Sequence, residues 1–290
     1  MTGNQQSQEN SFRHRSCLAG RVILFAFCSL FLASCSLPTQ KNSRQEWNLG
    51  KWSPAAIDQL LDKGQGIHDP GQKVAFISTA FLGTPYRANT LIGESNTAEV
   101  FVLRLDCVDC FTFLDNVEAL RRSSNFSEFV ENLHKVRYQN GQIDFQTRNH
   151  FFSQWGNTPL APLRDITSQI GGRKTRWVVK YLNQKEKGQV FLPGYPIEKQ
   201  TVAFIPAEAI DESMLSRLHS GDYIGIYCPH SGLDVSHTGI VIKKGETLFL
   251  RHASSKRWRK KVRDERLLPY LAGKKGLIIY RPVKIKTVRL

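Results

Sequence analysis

Residues 236–252 constrain this chain more than any other stretch. Ser236-His237-Thr238-Gly239-Ile240-Val241-Ile242-Lys243 and Glu246-Thr247-Leu248-Phe249-Leu250-Arg251-His252 are strand-like runs on either side of Lys244-Gly245. A two-residue loop with glycine between such runs makes an antiparallel hairpin. With Lys244-Gly245 as the loop, Lys243 faces Glu246 and His237 falls directly opposite His252. Directly opposite residues share one sheet face, their Cβ atoms roughly 4.5–5.5 Å apart. Two imidazoles are therefore expected side by side, with Gly239 leaving room next to them. One strand histidine is commonly a core residue, but an aligned pair is harder to explain so, because two charged rings would repel. Such a pair suits a base and its orienter. It also suits two ligands of a metal, although no third ligand stands at evident spacing.

A base needs a nucleophile, and Asp109-Cys110-Phe111-Thr112-Phe113-Leu114-Asp115-Asn116-Val117 supplies one. Asp109 is a good N-cap, which makes Cys110 the first helical residue. Phe113, Leu114, Val117 and Leu120 recur at helical spacing and predict an inward face, with Cys110 at its edge. A helix N-terminus favours the thiolate, and its free N–H groups can hold an oxyanion. Cys110 could equally be a small buried hydrophobe. Cys107-Val108-Asp109-Cys110 also reads as a redox C-x-x-C string, but here the second cysteine opens the helix and no βαβ pattern surrounds it. A Cys107–Cys110 disulfide would be an inactivated form.

Around these motifs the chain reads as α+β. Helices are expected at Pro54–Leu61 (N-cap Ser53), Val74–Leu82, Phe111–Leu120, Phe126–Val136 (capped by Asn125 or Ser127) and Ile210–Leu218. Strands are expected at Val100–Leu105, Tyr223–Tyr227, Thr238–Lys243, Thr247–Arg251 and Leu277–Tyr280. Residues 139–200 are rich in turn formers and give no clear elements. Helices first and clustered strands later suggest helices packed on an antiparallel sheet. The 290 residues, 41% hydrophobic, exclude a collagenous or wholly disordered protein, and six cysteines are too few for a disulfide scaffold.

The N-terminus reads as an address. Arg13, Arg15 and Arg21 precede an apolar run, Val22–Leu32, that is too short to span a bilayer. Leu32-Ala33-Ser34-Cys35 follows and resembles a bacterial lipobox, which implies lipidation of Cys35. The organisation read from this is a lipoprotein signal peptide over 1–34, a flexible tether over 35–50 and one catalytic domain over 51–290. Ser36 after the cysteine implies the periplasmic side of the outer membrane. The net charge of +15 points to an anionic partner. From Lys243 to Leu290 there are 16 Lys/Arg against 3 Asp/Glu. In the basic run 256–263 of that tail the one interleaved aromatic is Trp258, and with an export signal this argues against nucleic-acid binding.

Asp109-Cys110 opening a helix, Ser236-His237-Thr238-Gly239-Ile240 and His252-Ala253-Ser254-Ser255 together resemble the NlpC-type papain-like cysteine peptidases, as does Gly83-Thr84-Pro85-Tyr86 upstream. The nearer likeness, over roughly residues 70–282, is to the branch numbered domain of unknown function 1460, which is N-acetylmuramoyl-L-alanine amidase-like. It runs through Arg137-Tyr138, Thr147-Arg148-Asn149-His150-Phe151-Phe152-Ser153-x-Trp155, Gly171-Gly172 and Gly232-Leu233-Asp234-Val235-Ser236-His237. Departures are Cys107, Asp115 where Glu is usual, and Arg148-Asn149-His150-Phe151 where a Leu-His-Tyr version is usual. The resemblance implies a papain-like fold and a Cys110, His237, His252 triad without cofactor or metal. It implies cleavage of the amide between N-acetylmuramic acid and L-alanine in (anhydro)muropeptides by a lipid-anchored monomer. Tyr86 would line the cleft, and Arg148, His150, Asp234 and Ser254 would be candidates for substrate contact. His150 could instead be a helix-surface residue packing on Trp155. Two other readings remain open on the same fold: a D,L-endopeptidase cutting between γ-D-glutamyl and the diamino acid, and a non-catalytic wall-binding lipoprotein.

Overall fold

Two early helices open on the same local signal, a capping side chain followed by proline. The computed structural model describes residues 44–158 and 162–284, so the expected leader and Cys35 lie outside the described residues. In α1 (Pro54–Lys63) the Ser53 hydroxyl accepts the Ala56 N–H at 3.1 Å. In α2 (Pro70–Thr79) Asp69 accepts the Gln72 N–H at 2.8 Å. Proline is tolerated there because its missing N–H belongs to a turn whose donors have no helical partner. The second helix therefore starts a turn before the expected Val74, on Asp69-Pro70.

A small sheet is formed by β1 (Gln45–Asn48), β2 (Ile92–Glu94) and β3 (Thr97–Arg104), with β1 parallel and β2 antiparallel to β3. This corrects the tether expected over 35–50, because residues 45–48 are hydrogen-bonded into a sheet. Then come α3 (Cys110–Arg121) and α4 (Phe126–Arg137), the latter capped by Asn125, whose side chain accepts the Glu128 N–H. In α3, Phe113, Leu114, Val117 and Leu120 are buried as the spacing predicts. Its polar side is buried too. Asp115 meets Arg137 at 3.0 Å, and Asn116 donates to the Arg104 carbonyl at 3.2 Å.

The remaining helices are short: α5 (Phe152–Asn157), α6 (Thr167–Gly171), α7 (Glu212–Ser216) and α8 (Leu267–Leu271). The remaining strands are β4 (Leu163–Asp165), β5 (Arg176–Leu182), β6 (Glu198–Pro206), β7 (Tyr223–Tyr227), β8 (Val235–Lys244), β9 (Thr247–Ala253), β10 (Val262–Arg266) and β11 (Gly276–Pro282). They form one antiparallel sheet in the order β10-β9-β8-β7-β11-β6-β5, with β4 on β11. The protein is thus α+β, with helices on an antiparallel sheet. Both faces of its centre are covered. Tyr223, Ile240, Ile242 and Ile278 pack into the core that holds α3. Ile224, Ile226, Val241 and Ile279 join a second core with Ile170, Met214 and Leu271 from the short helices. Double coverage explains why these strands are near-continuous apolar runs.

The hairpin forms, but in a different register. Lys244 pairs with Thr247 and Ile240 with Arg251, so the loop is Gly245-Glu246. Gly245 has φ +57°, which suits the first loop position of a II′-type turn. His237 and His252 are therefore diagonal neighbours, not directly opposed residues. A slip of two residues leaves both side chains on the same face, whereas a slip of one would have separated them.

Candidate active site

Cys110 is set by the start of α3. Asp109 accepts the N–H groups of Phe111 at 3.0 Å and Thr112 at 2.7 Å, while the Thr112 hydroxyl accepts the Asp109 N–H at 2.9 Å. This reciprocal cap fixes the first turn. The Thr238 hydroxyl, on β8, donates to the Cys110 carbonyl at 2.7 Å and ties the helix start to the histidine strand. Thr238 was not singled out by the sequence.

The imidazoles meet directly. His237 Nε2 and His252 Nδ1 are 2.7 Å apart with the rings nearly perpendicular. His252 Nε2 lies 3.3 Å from Glu265 Oε1, on β10. Tyr270, on α8, packs against both rings, and its hydroxyl also feels the Cys110 sulfur. Glu265 and Tyr270 are additions the sequence did not flag. Glu265 sits in the charged run Arg263-Asp264-Glu265-Arg266, which resembles a solvated surface until β10 pairs with β9.

Cys110, His237 and Thr238 line one cavity of about 240 Å³ with Phe111, His150 and Asp234. Burial and the Asp109 carboxylate push the Cys110 thiol up to about 11. Burial, His252, Lys274 and Lys256 push the His237 imidazole down to about 3. The thiolate expected from the helix terminus is thus not the resting form. A helix end contributes ~0.3–1 kcal/mol at the surface, whereas two pKa units correspond to about 3 kcal/mol. The free protein holds a neutral thiol and a neutral imidazole near pH 7, because the Thr238 and Cys110 N–H groups favour the anion less than burial disfavours it.

The other expected site residues divide. Tyr86 stands beside Cys110, and burial with that sulfur raises its phenol. His150 lines the cavity, but it donates from Nε2 to the Phe145 carbonyl at 2.8 Å and packs on Phe145 and Tyr195, not on Trp155. Burial and Arg148 push its imidazole down to about 4. Arg148 makes two 2.9 Å bonds to Glu99 and reaches the Gly93 carbonyl. It lines an adjoining cavity of about 490 Å³ that shares Phe111, His150, Phe191 and Leu192 with the first. Asp234 accepts the Ser153 N–H at 2.6 Å and the Val235 N–H at 2.7 Å, so it orients the start of α5. Ser254 is buried, and its hydroxyl has no hydrogen-bond partner. Cys107 is a buried free thiol, so no Cys107–Cys110 disulfide is formed here. Among the described residues, no group of three or more His, Cys, Asp or Glu is arranged to hold a metal ion.

An α+β fold that sets a thiol and an imidazole in one cleft, the imidazole bonded to a second, buried one, defines a class, and the comparisons place the chain in an amidase-like one. The model of the AmiA-like family, described as N-acetylmuramoyl-L-alanine amidase-like, matches residues 76–277. The chain belongs to that family. It is similar to a crystal structure of a Legionella pneumophila protein of the DUF1460 family. The two are 24% identical with a TM-score of 0.67, covering 80% of this chain and 94% of the other. It is also similar to an N-acetylmuramoyl-L-alanine amidase from Bacteroides uniformis, at 27% identity and TM-score 0.63 over 74% and 99% of the two chains. A Bacteroides fragilis protein proposed to be a xylanase is 28% identical, with TM-score 0.59 over 71% and 98%. No functionally curated protein matches the sequence.

Proposed function

We propose that this protein is a cysteine amidase of the papain-like type that hydrolyses the bond between N-acetylmuramic acid and L-alanine in muropeptides, with the anhydro form as preferred substrate. The observation that carries this reading is that His237 shares a cleft with Cys110 at a helix start and is bonded at 2.7 Å to the buried His252. The family match supports the substrate class.

The chemistry is acyl transfer. Cys110 S–H gives its proton to His237 Nδ1 as the sulfur bonds to the lactyl carbonyl carbon. The carbonyl oxygen becomes an oxyanion, held by the Cys110 N–H. The C–N bond then breaks, and the His237 proton passes to the departing L-alanine nitrogen. A water attacks the thioester and gives a proton to His237, which returns it to sulfur as the muramic carboxylate leaves. Aromatic walls from Phe111, Phe151, Phe152 and Phe191 suit a substrate with apolar sugar and alanyl faces. The lipobox reading of Cys35 adds a lipid anchor on the periplasmic side of the outer membrane.

A glycosidase would need two carboxylates flanking the scissile bond. The carboxylate on this cavity is Asp234, and its oxygens accept backbone N–H groups. The D,L-endopeptidase reading uses the same three residues and differs only in the bond presented. Digestion of purified anhydro-muropeptides followed by mass spectrometry separates the two. Free anhydro-disaccharide supports the amidase, and a clipped dipeptide supports the endopeptidase. No product with either would leave a wall-binding protein.

A further inference from the structure

We propose that Glu265 is a positioning residue: acting through His252, its carboxylate sets which nitrogen of His237 carries the proton and so leaves His237 Nδ1 free as the base. The inference rests on the amidase reading for its consequence in turnover, but not for the proton arrangement itself.

The argument is a count of donors and acceptors. An ionised carboxylate only accepts hydrogen bonds, and a neutral imidazole has one N–H and one bare nitrogen. Glu265 Oε1 is 3.3 Å from His252 Nε2, so His252 carries its proton on Nε2. Its Nδ1 is then bare and must accept. The partner at 2.7 Å is His237 Nε2, which must therefore carry the proton. One lone pair remains, on His237 Nδ1, available for the Cys110 proton. With the direction reversed at Glu265, both rings switch tautomer and His237 presents an N–H where a base is needed.

Glu265 is held in the ionised form that this logic requires. Lys256 Nζ and Arg259 Nη1 each lie 3.6 Å from Oε2, and Arg263 Nε lies 3.7 Å from Oε1. Together with His252, Lys256 and Arg263 keep its carboxyl below the usual range despite partial burial. Lys256 and Lys274 act on His237 in the opposite sense and resist its protonation. Of the groups acting on the two rings, Glu265 is the acid, so it also offsets the imidazolium that forms when Cys110 gives up its proton. Tyr270 packs on both rings and leaves them little freedom to turn.

Glu265→Gln tests this without changing shape. Two cations on Oε2 against one on Oε1 draw the amide oxygen to the Lys256–Arg259 side and turn the NH₂ toward His252. The amide then donates, and the relay reverses. In the intact, ¹⁵N-histidine-labelled wild type, long-range proton–nitrogen spectra should show both rings protonated at Nε2. In the variant, His237 should become protonated at Nδ1. On anhydro-muropeptide, kcat should fall by roughly 10²-fold or more with KM little changed, as when a triad carboxylate becomes an amide. Wild-type His237 protonated at Nδ1 would overturn the inference whether or not the variant folds. So would a variant that keeps the Nε2 form and at least half of the turnover. A tautomer that flips in a pair of proteins of which neither cleaves muropeptide would uphold the role of Glu265 and overturn the amidase reading instead.

Discussion

The two ends of α3 both carry ionisable side chains, Glu118 fully buried and Cys110 half-buried, yet the fold treats them in opposite ways. At the C-terminal half, Glu118 receives Arg121 at 2.8 and 2.7 Å, Arg122 at 2.8 Å and the Tyr223 hydroxyl at 2.8 Å. Those partners push its carboxyl down to about 2 against the cost of burial. At the N-terminus, Cys110 receives no cation, and burial pushes its thiol up to about 11. Removing a charge from water costs several kcal/mol unless partners restore it. A fully compensated charge locks the helix against β7. An uncompensated thiol stays neutral and keeps a proton it can transfer. The difference teaches that one helix can anchor a fold at one end and leave the other end reactive, according to which neighbours the chain supplies.

Cys110→Ala is the largest test of that contrast. It should reduce turnover of anhydro-muropeptide by roughly 10³-fold or more, with an unchanged melting temperature, because nothing compensated is lost. Glu118→Gln should do the reverse. It leaves two guanidinium groups without their carboxylate and should cost about 3–5 kcal/mol of stability in urea unfolding. Its pH dependence follows in sign. The folded carboxyl lies below its unfolded value of 4.5, so its stabilisation is fully present above pH 4.5 and is lost as pH falls toward 2. The wild type should lose about 3 kcal/mol over that window that the variant does not lose.

Thr238→Val probes the tie between the reactive end and its histidine strand. Loss of one hydrogen bond to the Cys110 carbonyl should cost ~1 kcal/mol in urea unfolding, and the loosened geometry should lower kcat about tenfold. Asp109→Asn has the smallest effect and the opposite direction. Asparagine still caps the helix but removes the charge that holds the thiol up. Alkylation of Cys110 by iodoacetamide at pH 8 should therefore quicken several-fold with stability nearly unchanged. An equal or slower rate would mean that burial alone sets the thiol.

The sequence displayed the reactive end better than the anchored one. Asp109-Cys110 and the two histidine strands are local patterns, and local patterns survive without tertiary knowledge. The face shared by His237 and His252 was legible because a register error of two keeps side-chain parity. The register itself was not, since Gly245 can occupy either loop position and only the pairing of Lys244 with Thr247 decides. Glu118 went unmarked, because a glutamate followed by Arg121 and Arg122 at helical spacing is equally usual on a solvated face. Its burial depends on Tyr223, more than a hundred residues away. Glu265 was hidden for the same reason. In β10 only Val262 is apolar, and the strand exists because β9 offers it a partner. The β5–β6 pair lay in a region of turn formers where Trp177, Val179 and Tyr181 point outward, so no buried alternation marked it. Arg148 looked free to hold substrate until Glu99 was seen to hold it first.

The central claim is that the cleft holding Cys110 and the bonded imidazoles cuts one particular amide. Incubation of the wild-type protein with purified anhydro-muropeptide, with the products weighed by mass spectrometry, tests it most directly. The account predicts free anhydro-disaccharide and an intact stem peptide beginning with L-alanine, in equal amounts. Unchanged muropeptide, or a fragment cut within the stem while the sugar keeps its L-alanine, would contradict it.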